Sequence, residues 1–255
     1  MRKYLYAAAI AIFLLIGSID QARSEHADNM YVPLGYLNAD IKQGGLLYDD
    51  WVQIKKVEIS KRHPLYPEYG VIEDSKTWRC KECHGWDYLG DKGSYRKGFH
   101  YTGIKGILNA RTKSPQELFD VLTDRSMKHD FTENLYLSYS DVWSLVKFIK
   151  EGLIDYNSVT DLNGSIKADP ENGKKLYARY CNDCHGHDGN KVGFRELLEG
   201  THGIGWESNG DPQETLHKIR WGHLGVKSLS MAADNLLSDK EALDILSYCQ
   251  TLFPE

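Results

Sequence analysis

The sequence predicts a mainly α-helical chain built as two tandem copies of one small domain. Three observations carry this. A short motif, Cys-x-x-Cys-His-Gly, stands at Cys80–Gly85 and again at Cys181–Gly186. The same landmarks recur in the same order around each copy, as an internal duplication requires. Each copy also ends in a stretch with one apolar helical face: Val142, Leu145, Val146 and Ile149 in the first, Ala242, Ile245, Leu246 and Cys249 in the second.

The chain of 255 residues has room for one large domain or two small ones. With 41% hydrophobic and 26% charged residues it has the composition of a globular protein and not of a disordered one. Residues 1–24 read as a signal peptide. Arg2 and Lys3 open it, Ala7–Ile16 is its apolar heart, and Ala22-Arg23-Ser24 offers small residues at a cleavage site. The competing reading is a retained anchor, for which the run is short, since a span needs about 20 apolar residues. No other stretch is apolar enough to cross a bilayer, so the mature chain is expected to have no transmembrane span. Losing residues 1–24 takes away three bases (Arg2, Lys3, Arg23) and one acid (Asp20), which carries the net charge from −5 to −7. An acidic chain points away from nucleic acid and towards partners with basic docking patches.

The first domain is expected over 25–157 and the second over 158–255, with a linker within Gly152–Lys167 signalled by Asn157-Ser158 and Asn163-Gly164-Ser165. Gly44-x-x-x-Tyr48 and Gly173-x-x-x-Tyr177 lie on helix-like stretches ahead of the two motifs. Tyr101-Thr102-Gly103-Ile104 answers Thr201-His202-Gly203-Ile204. Ser114-Pro115 and Asp211-Pro212 each place a capping residue before a proline, which is how a helix begins. Leu137-Ser138 and Leu237-Ser238 introduce the terminal helices. The first copy differs by an insertion at about 52–78: 31 residues separate Tyr48 from Cys80, against three between Tyr177 and Cys181. Its core, His63-Pro64-Leu65-Tyr66-Pro67-Glu68-Tyr69-Gly70, is turn-forming and aromatic. It reads either as a lid or as a docking surface, since long ordered loops are often functional.

The repeated motif carries the chemistry. C-x-x-C-H is the attachment signature of c-type haem. Two thiols at this spacing add to the two vinyl groups of one porphyrin, and the adjacent imidazole becomes the proximal iron ligand. A bare C-x-x-C is also compatible with a zinc half-site or a redox dithiol, but two copies that both carry the adjacent His argue against these. Cys80, Cys83, Cys181 and Cys184 are therefore expected to hold two covalent haem c groups, with His84 and His185 on their irons. Cys249, the fifth cysteine, is expected to be a buried, inert thiol. Trp78, Arg79, Trp86, Tyr88, Arg111 and Trp206 are candidates for packing on the porphyrins or bonding their propionates. Attachment of c-type haem outside the cytoplasm agrees with a signal peptide and a periplasmic or other extracytoplasmic site.

Gly-x-x-x-aromatic, then C-x-x-C-H-G, then a terminal helix with an aromatic near its end (Phe148, Tyr248) resembles the class I cytochrome c fold, and the pattern occurs twice. The chain is thus similar to tandem diheme cytochromes c, each mainly helical domain wrapped around its haem. The resemblance implies a distal ligand in the loop before each last helix. In the second copy that is Met231, seven residues before Ser238, with His223 and His202 as fallbacks. In the first copy Met127 and His129 compete, 11 and nine residues before Ser138. The implied function is outer-sphere transfer of single electrons between redox proteins, either as a free shuttle or as a subunit of a periplasmic oxidoreductase or respiratory complex. The alternative is a diheme enzyme, peroxidase-like or thiosulfate-oxidising, with one open iron. No nucleophile–base arrangement, phosphate loop or second metal cluster appears in the sequence, so the expectation is that the chain is not an enzyme.

Overall fold

The computed structural model describes residues 32–124, 126, 129, 136–161, 163–196, 200–224 and 237–252. The chain divides into two compact units, residues 1–38 and 39–255. In the first, a single turn of helix, α1 (Leu34–Leu37), follows Pro33. All other described elements belong to the second unit. No described helix is long and apolar enough to cross a membrane.

The second unit opens with α2 (Ile41–Lys55), capped by Asp40, whose carboxylate accepts the N–H groups of Lys42 and Gln43. Asp50 breaks the helical backbone with φ −153° and ψ 79°, so α2 is kinked there and runs on to Lys55, into the expected insertion. The motif forms the short α3 (Cys80–His84). Then come α4 (Pro115–Thr123) and α5 (Tyr139–Lys147), which continues as a π-helical turn over Phe148–Gly152. After a short turn, α6 (Tyr156–Val159), the pattern restarts. It gives α7 (Pro170–Tyr180), α8 (Asn182–His185) and an antiparallel pair, β1 (Phe194–Glu196) with β2 (Gly200–His202). It closes with α9 (Ile204–Gly210), α10 (Pro212–Trp221) and α11 (Asp239–Thr251).

The helix starts follow from side chains that satisfy the orphan N–H groups. Ser114, Ser138 and Ser238 each form a reciprocal capping box with Glu117, Asp141 and Glu241. Asp169 and Asp211 cap α7 and α10, each followed by Pro at the first turn.

Two helix crossings organise the unit, and they use the same device. A Cβ on Gly44 would collide with the Ser144 carbonyl and meet the Phe148 Cβ at 2.7 Å. A Cβ on Gly173 would collide with the Asp244 carbonyl and meet the Tyr248 Cβ at 3.0 Å. Only glycine lets α2 lie against α5, and α7 against α11, at this separation. The Gly-x-x-x-Tyr spacing then places Tyr48 and Tyr177 one turn later. Tyr48 packs on Phe148 at 5.2 Å and Tyr177 on Tyr248 at 5.2 Å between ring centroids. Around the second crossing lies a core of Tyr156, Ile166, Tyr177, Ile204, Leu216, Ile219, Ala242, Ile245, Leu246 and Cys249. Tyr156 and Ile166 come from the expected linker, so that stretch is built into the second core.

The halves share a buried junction. Trp221 of α10 fills the groove left by Gly45, whose Cβ would meet the indole Cγ at 2.5 Å. His217 donates from Nε2 to the Gly45 carbonyl at 3.0 Å and accepts at Nδ1 from the Tyr88 hydroxyl at 3.3 Å. Lys218 is ion-paired and hydrogen-bonded to the buried Asp49 of α2. Trp86 lies between two ammonium groups, Lys81 at 4.2 Å and Lys218 at 5.2 Å from its ring centroid.

Candidate haem-binding sites

Each motif folds as a helical turn that ends in a left-handed glycine. Gly85 has φ 77° and Gly186 φ 78°, a region an L-residue seldom adopts. The carbonyl of that glycine accepts a backbone N–H three residues on, from Tyr88 and Gly189, and also a tyrosine of the helix before it: Tyr48 donates its hydroxyl to the Gly85 carbonyl at 2.6 Å, and Tyr177 to the Gly186 carbonyl at 2.8 Å. The chain then turns back, so that the Gly90 N–H reaches the His84 carbonyl and the Lys191 N–H the His185 carbonyl, both at 3.0 Å.

Beside each motif lies a cavity. The first, of about 850 Å³ including its open mouth, is walled by Cys80, Cys83 and His84 with Tyr48, Leu145 and Ile149 behind. The second, of about 580 Å³, is walled by Cys181 and His185 with Tyr177, Ile245 and Cys249. Both are lined mainly by apolar surface. A flat apolar macrocycle with one metal suits them.

His84 and His185 are held in forms that could ligate a metal. His84 donates from Nδ1 to the Lys105 carbonyl at 2.7 Å, which fixes the tautomer and leaves Nε2 as an acceptor. Burial pushes its pKa down to about 4, so it is neutral at pH 7, as a ligand must be. Across the first cavity stands His129, its ring centroid 6.2 Å from that of His84 and the planes 31° apart. Two imidazoles on opposite sides of one metal would have centroids roughly 6 Å apart, because each nitrogen lies about 2 Å from the metal and about 1 Å from its ring centre. His84 and His129 are therefore spaced as a pair that could hold an iron between them. In the second cavity His223 shares the wall with His185, and both are held below the ordinary histidine range by burial. His202 stacks on Trp206 at 4.3 Å. Met127 and Met231, the expected methionine ligands, lie outside the described residues.

The other expected contacts divide. Arg79 lines the first cavity and pairs with Glu82 inside the motif. Trp78 donates to the Lys61 carbonyl at 2.7 Å, while Trp86 and Tyr88 turn towards the junction. Cys249 is buried on the second cavity's wall, its thiol pushed up by burial, as an inert core thiol should be. Sequence reasoning missed His217, the Lys105 carbonyl and the cavity role of His63. A backbone acceptor has no side-chain signal, and a lone His on a helix looks like any other.

The insertion is ordered by one side chain. Arg62 bonds to the Asp74 carboxylate at 3.0 Å and to the carbonyls of Pro67, Glu68, Gly70 and Ile72 at 2.9–3.2 Å. A guanidinium fork has the donors for this where an ammonium does not. The loop so folded delivers His63, Leu65 and Thr77 to the first cavity's wall.

Comparison with known proteins bears on the C-terminal part of the chain. Residues 170–253 match the family model described as Cytochrome c. Neither curated proteins nor solved structures gave a match. A Cytochrome c domain implies a covalently bound haem c with its iron, and over those residues the match supports a c-type cytochrome that works by haem-based electron transfer.

Proposed function

We propose that the chain is a diheme c-type cytochrome, two tandem domains of one fold, that passes single electrons between redox proteins outside the cytoplasm. The observation that carries this is the repetition of one site: a motif on a cavity wall, a tyrosine bonded to the glycine after it, and a second histidine at the same cavity. Cys80 and Cys83 hold the first haem and Cys181 and Cys184 the second, with His84 and His185 as proximal ligands. His129 is the distal ligand of the first, favoured by its position 6.2 Å from His84. For the second, Met231 fits the class I pattern. A second reading is His223, favoured by its place on the cavity wall. With both axial positions filled the irons take up and release electrons without binding substrate, so the role is electron transfer and not catalysis. Histidine in place of methionine lowers a haem potential, so the first haem is the lower of the two if Met231 holds the second.

The protein's own residues exclude water, fix the ring planes and carry the docking surface. Residues 1–24 act as the export signal. The partners are redox proteins, among them a periplasmic oxidoreductase or a membrane respiratory complex. The test is a pyridine haemochrome assay on purified protein against its peptide concentration. Two haems per chain are expected; one haem, or none bound covalently, refutes the diheme reading.

A further inference from the structure

The two motifs are alike in backbone and opposite in exposure. Around the first, Lys81, Glu82 and Cys83 are 8%, 1% and 9% exposed, and Trp86, Asp87 and Tyr88 beyond them are buried as well. Around the second, Asp183, Cys184, His187 and Asp188 are all exposed. The cover over the first comes from two places. The second half supplies Lys218 and His217, which pack on Trp86. The insertion supplies His63 and Leu65, which share the first cavity's wall with Cys80 and Cys83, and next to them in sequence Tyr66, a buried ring with the Arg62 guanidinium 5.6 Å from its centroid.

A porphyrin joined to the chain through thioethers turns its vinyl edge towards those sulfurs. An exposed second cysteine therefore means an edge that a partner can approach, and a buried one means an edge that is shielded. We propose that the second site is the electron port of this chain, and that the first, whose thioether edge is covered, exchanges electrons with the outside chiefly through it. This rests on the diheme reading above.

The connection between the sites runs through α10. Thr215, Lys218 and Ile219 on one of its faces line the second cavity. From the other face, His217 reaches the Gly45 carbonyl and sets its ring 5.9 Å from that of Tyr48, a wall of the first cavity. One helix thus borders the second site and touches the wall of the first. The port itself is mixed in charge. Asp183 and Asp188 are exposed beside Lys191, and the exposed Lys175 and Arg179 lie on α7 just ahead of the motif. Opposite charges so interspersed give little long-range field, so the partner is a redox protein recognised by short-range contact and not by electrostatic steering.

The experiment uses the haem-loaded protein, counted first by haemochrome assay. A count of one overturns the diheme reading, and this inference with it; the outcomes below, at a count of two, judge the port alone. In proton NMR of the oxidised protein, a neutral soluble spin probe should broaden the methyl resonances of the second haem and spare those of the first. The Tyr66→Ala and Arg62→Ala variants should make the first haem's methyls broaden too. After flash photoreduction, the second haem should be reduced in the bimolecular phase and the first in a later phase independent of reductant concentration. Anionic flavin and cationic viologen radicals of like driving force should reduce the second haem at rates within about threefold of each other. Equal broadening of both haems, or direct bimolecular reduction of the first, would overturn the port. A large preference for one reductant charge would overturn the partner assignment.

Discussion

Tyr48 and Tyr177 make the same hydrogen bond to the same glycine of the same motif, yet one motif lies under a folded loop and the other faces solvent. The glycine crossings, the tyrosines and the serine caps are shared by both halves. What differs has been added around them: the Arg62-stapled insertion and the His217–Lys218 face of α10. Both additions converge on the first motif. The comparison teaches that the same local backbone geometry can be set in unlike surroundings, covered around one motif and open around the other.

The largest effect expected from this comparison is on cofactor content. Replacing Cys80 and Cys83 together by Ser should take the haem count from two per chain to one. The pair Cys181→Ser and Cys184→Ser should do the same, and the absorbance spectra of the two variants should add to that of the parent. If either pair removed both haems, the halves would not be independent sites.

Next comes the junction. Asp49 is buried with its carboxylate on Lys218, and Lys81 is 3.9 Å away. Burial alone would push this carboxyl up, but the facing ammonium groups hold it below its usual range. Asp49→Ala leaves the Lys218 charge in a mostly dry setting, which should cost about 3 kcal/mol in denaturant unfolding. A loss under about 1 kcal/mol would mean that Lys218 simply turns to water.

The two crossings should respond alike. Gly44→Ala and Gly173→Ala each drive a Cβ into a carbonyl on the partner helix, and each should cost roughly 1–3 kcal/mol from overpacking. A large cost at one and none at the other would break the equivalence of the halves.

The junction should also respond to acid. Burial depresses the His217 pKa to about 3, partly offset by Asp49. A histidine depressed in the folded state contributes stability in full above its unfolded pKa of about 6.5, and loses it as pH falls towards about 3. Haem-loaded protein should therefore lose stability through this group at a rate that steepens below pH 6.5 and approaches about 1.4 kcal/mol per pH unit near pH 5. His217→Gln should flatten the slope between pH 7 and 5; an unchanged slope would assign it to other groups.

Much of the scaffold was legible in the sequence because it rests on local chemistry. Ser114, Ser138 and Ser238 stand directly before helices, as the cap-then-proline and Leu-Ser patterns predict, and Pro115 and Pro212 stand at first turns. Gly173 marks a close crossing with Tyr177 and Tyr248 around it, as its spacing suggests. The junction was not legible. His217, Asp49 and Lys218 are brought together across 168 or more residues of chain, and nothing local to any of them marks the pairing. The order of the insertion was hidden for a related reason: Arg62 binds backbone carbonyls, which every residue has. The Met127–His129 choice turns on which side chain faces His84, a tertiary fact that spacing along the chain leaves open.

The most direct test is a low-temperature electron paramagnetic resonance spectrum of the oxidised, haem-loaded protein. Two low-spin ferric species in equal amounts are predicted, integrating to two spins per chain, with the species from the first site of the bis-histidine type and abolished by His129→Ala. A spectrum that integrates to one spin, shows a high-spin iron, or keeps its bis-histidine signal in that variant would contradict the account.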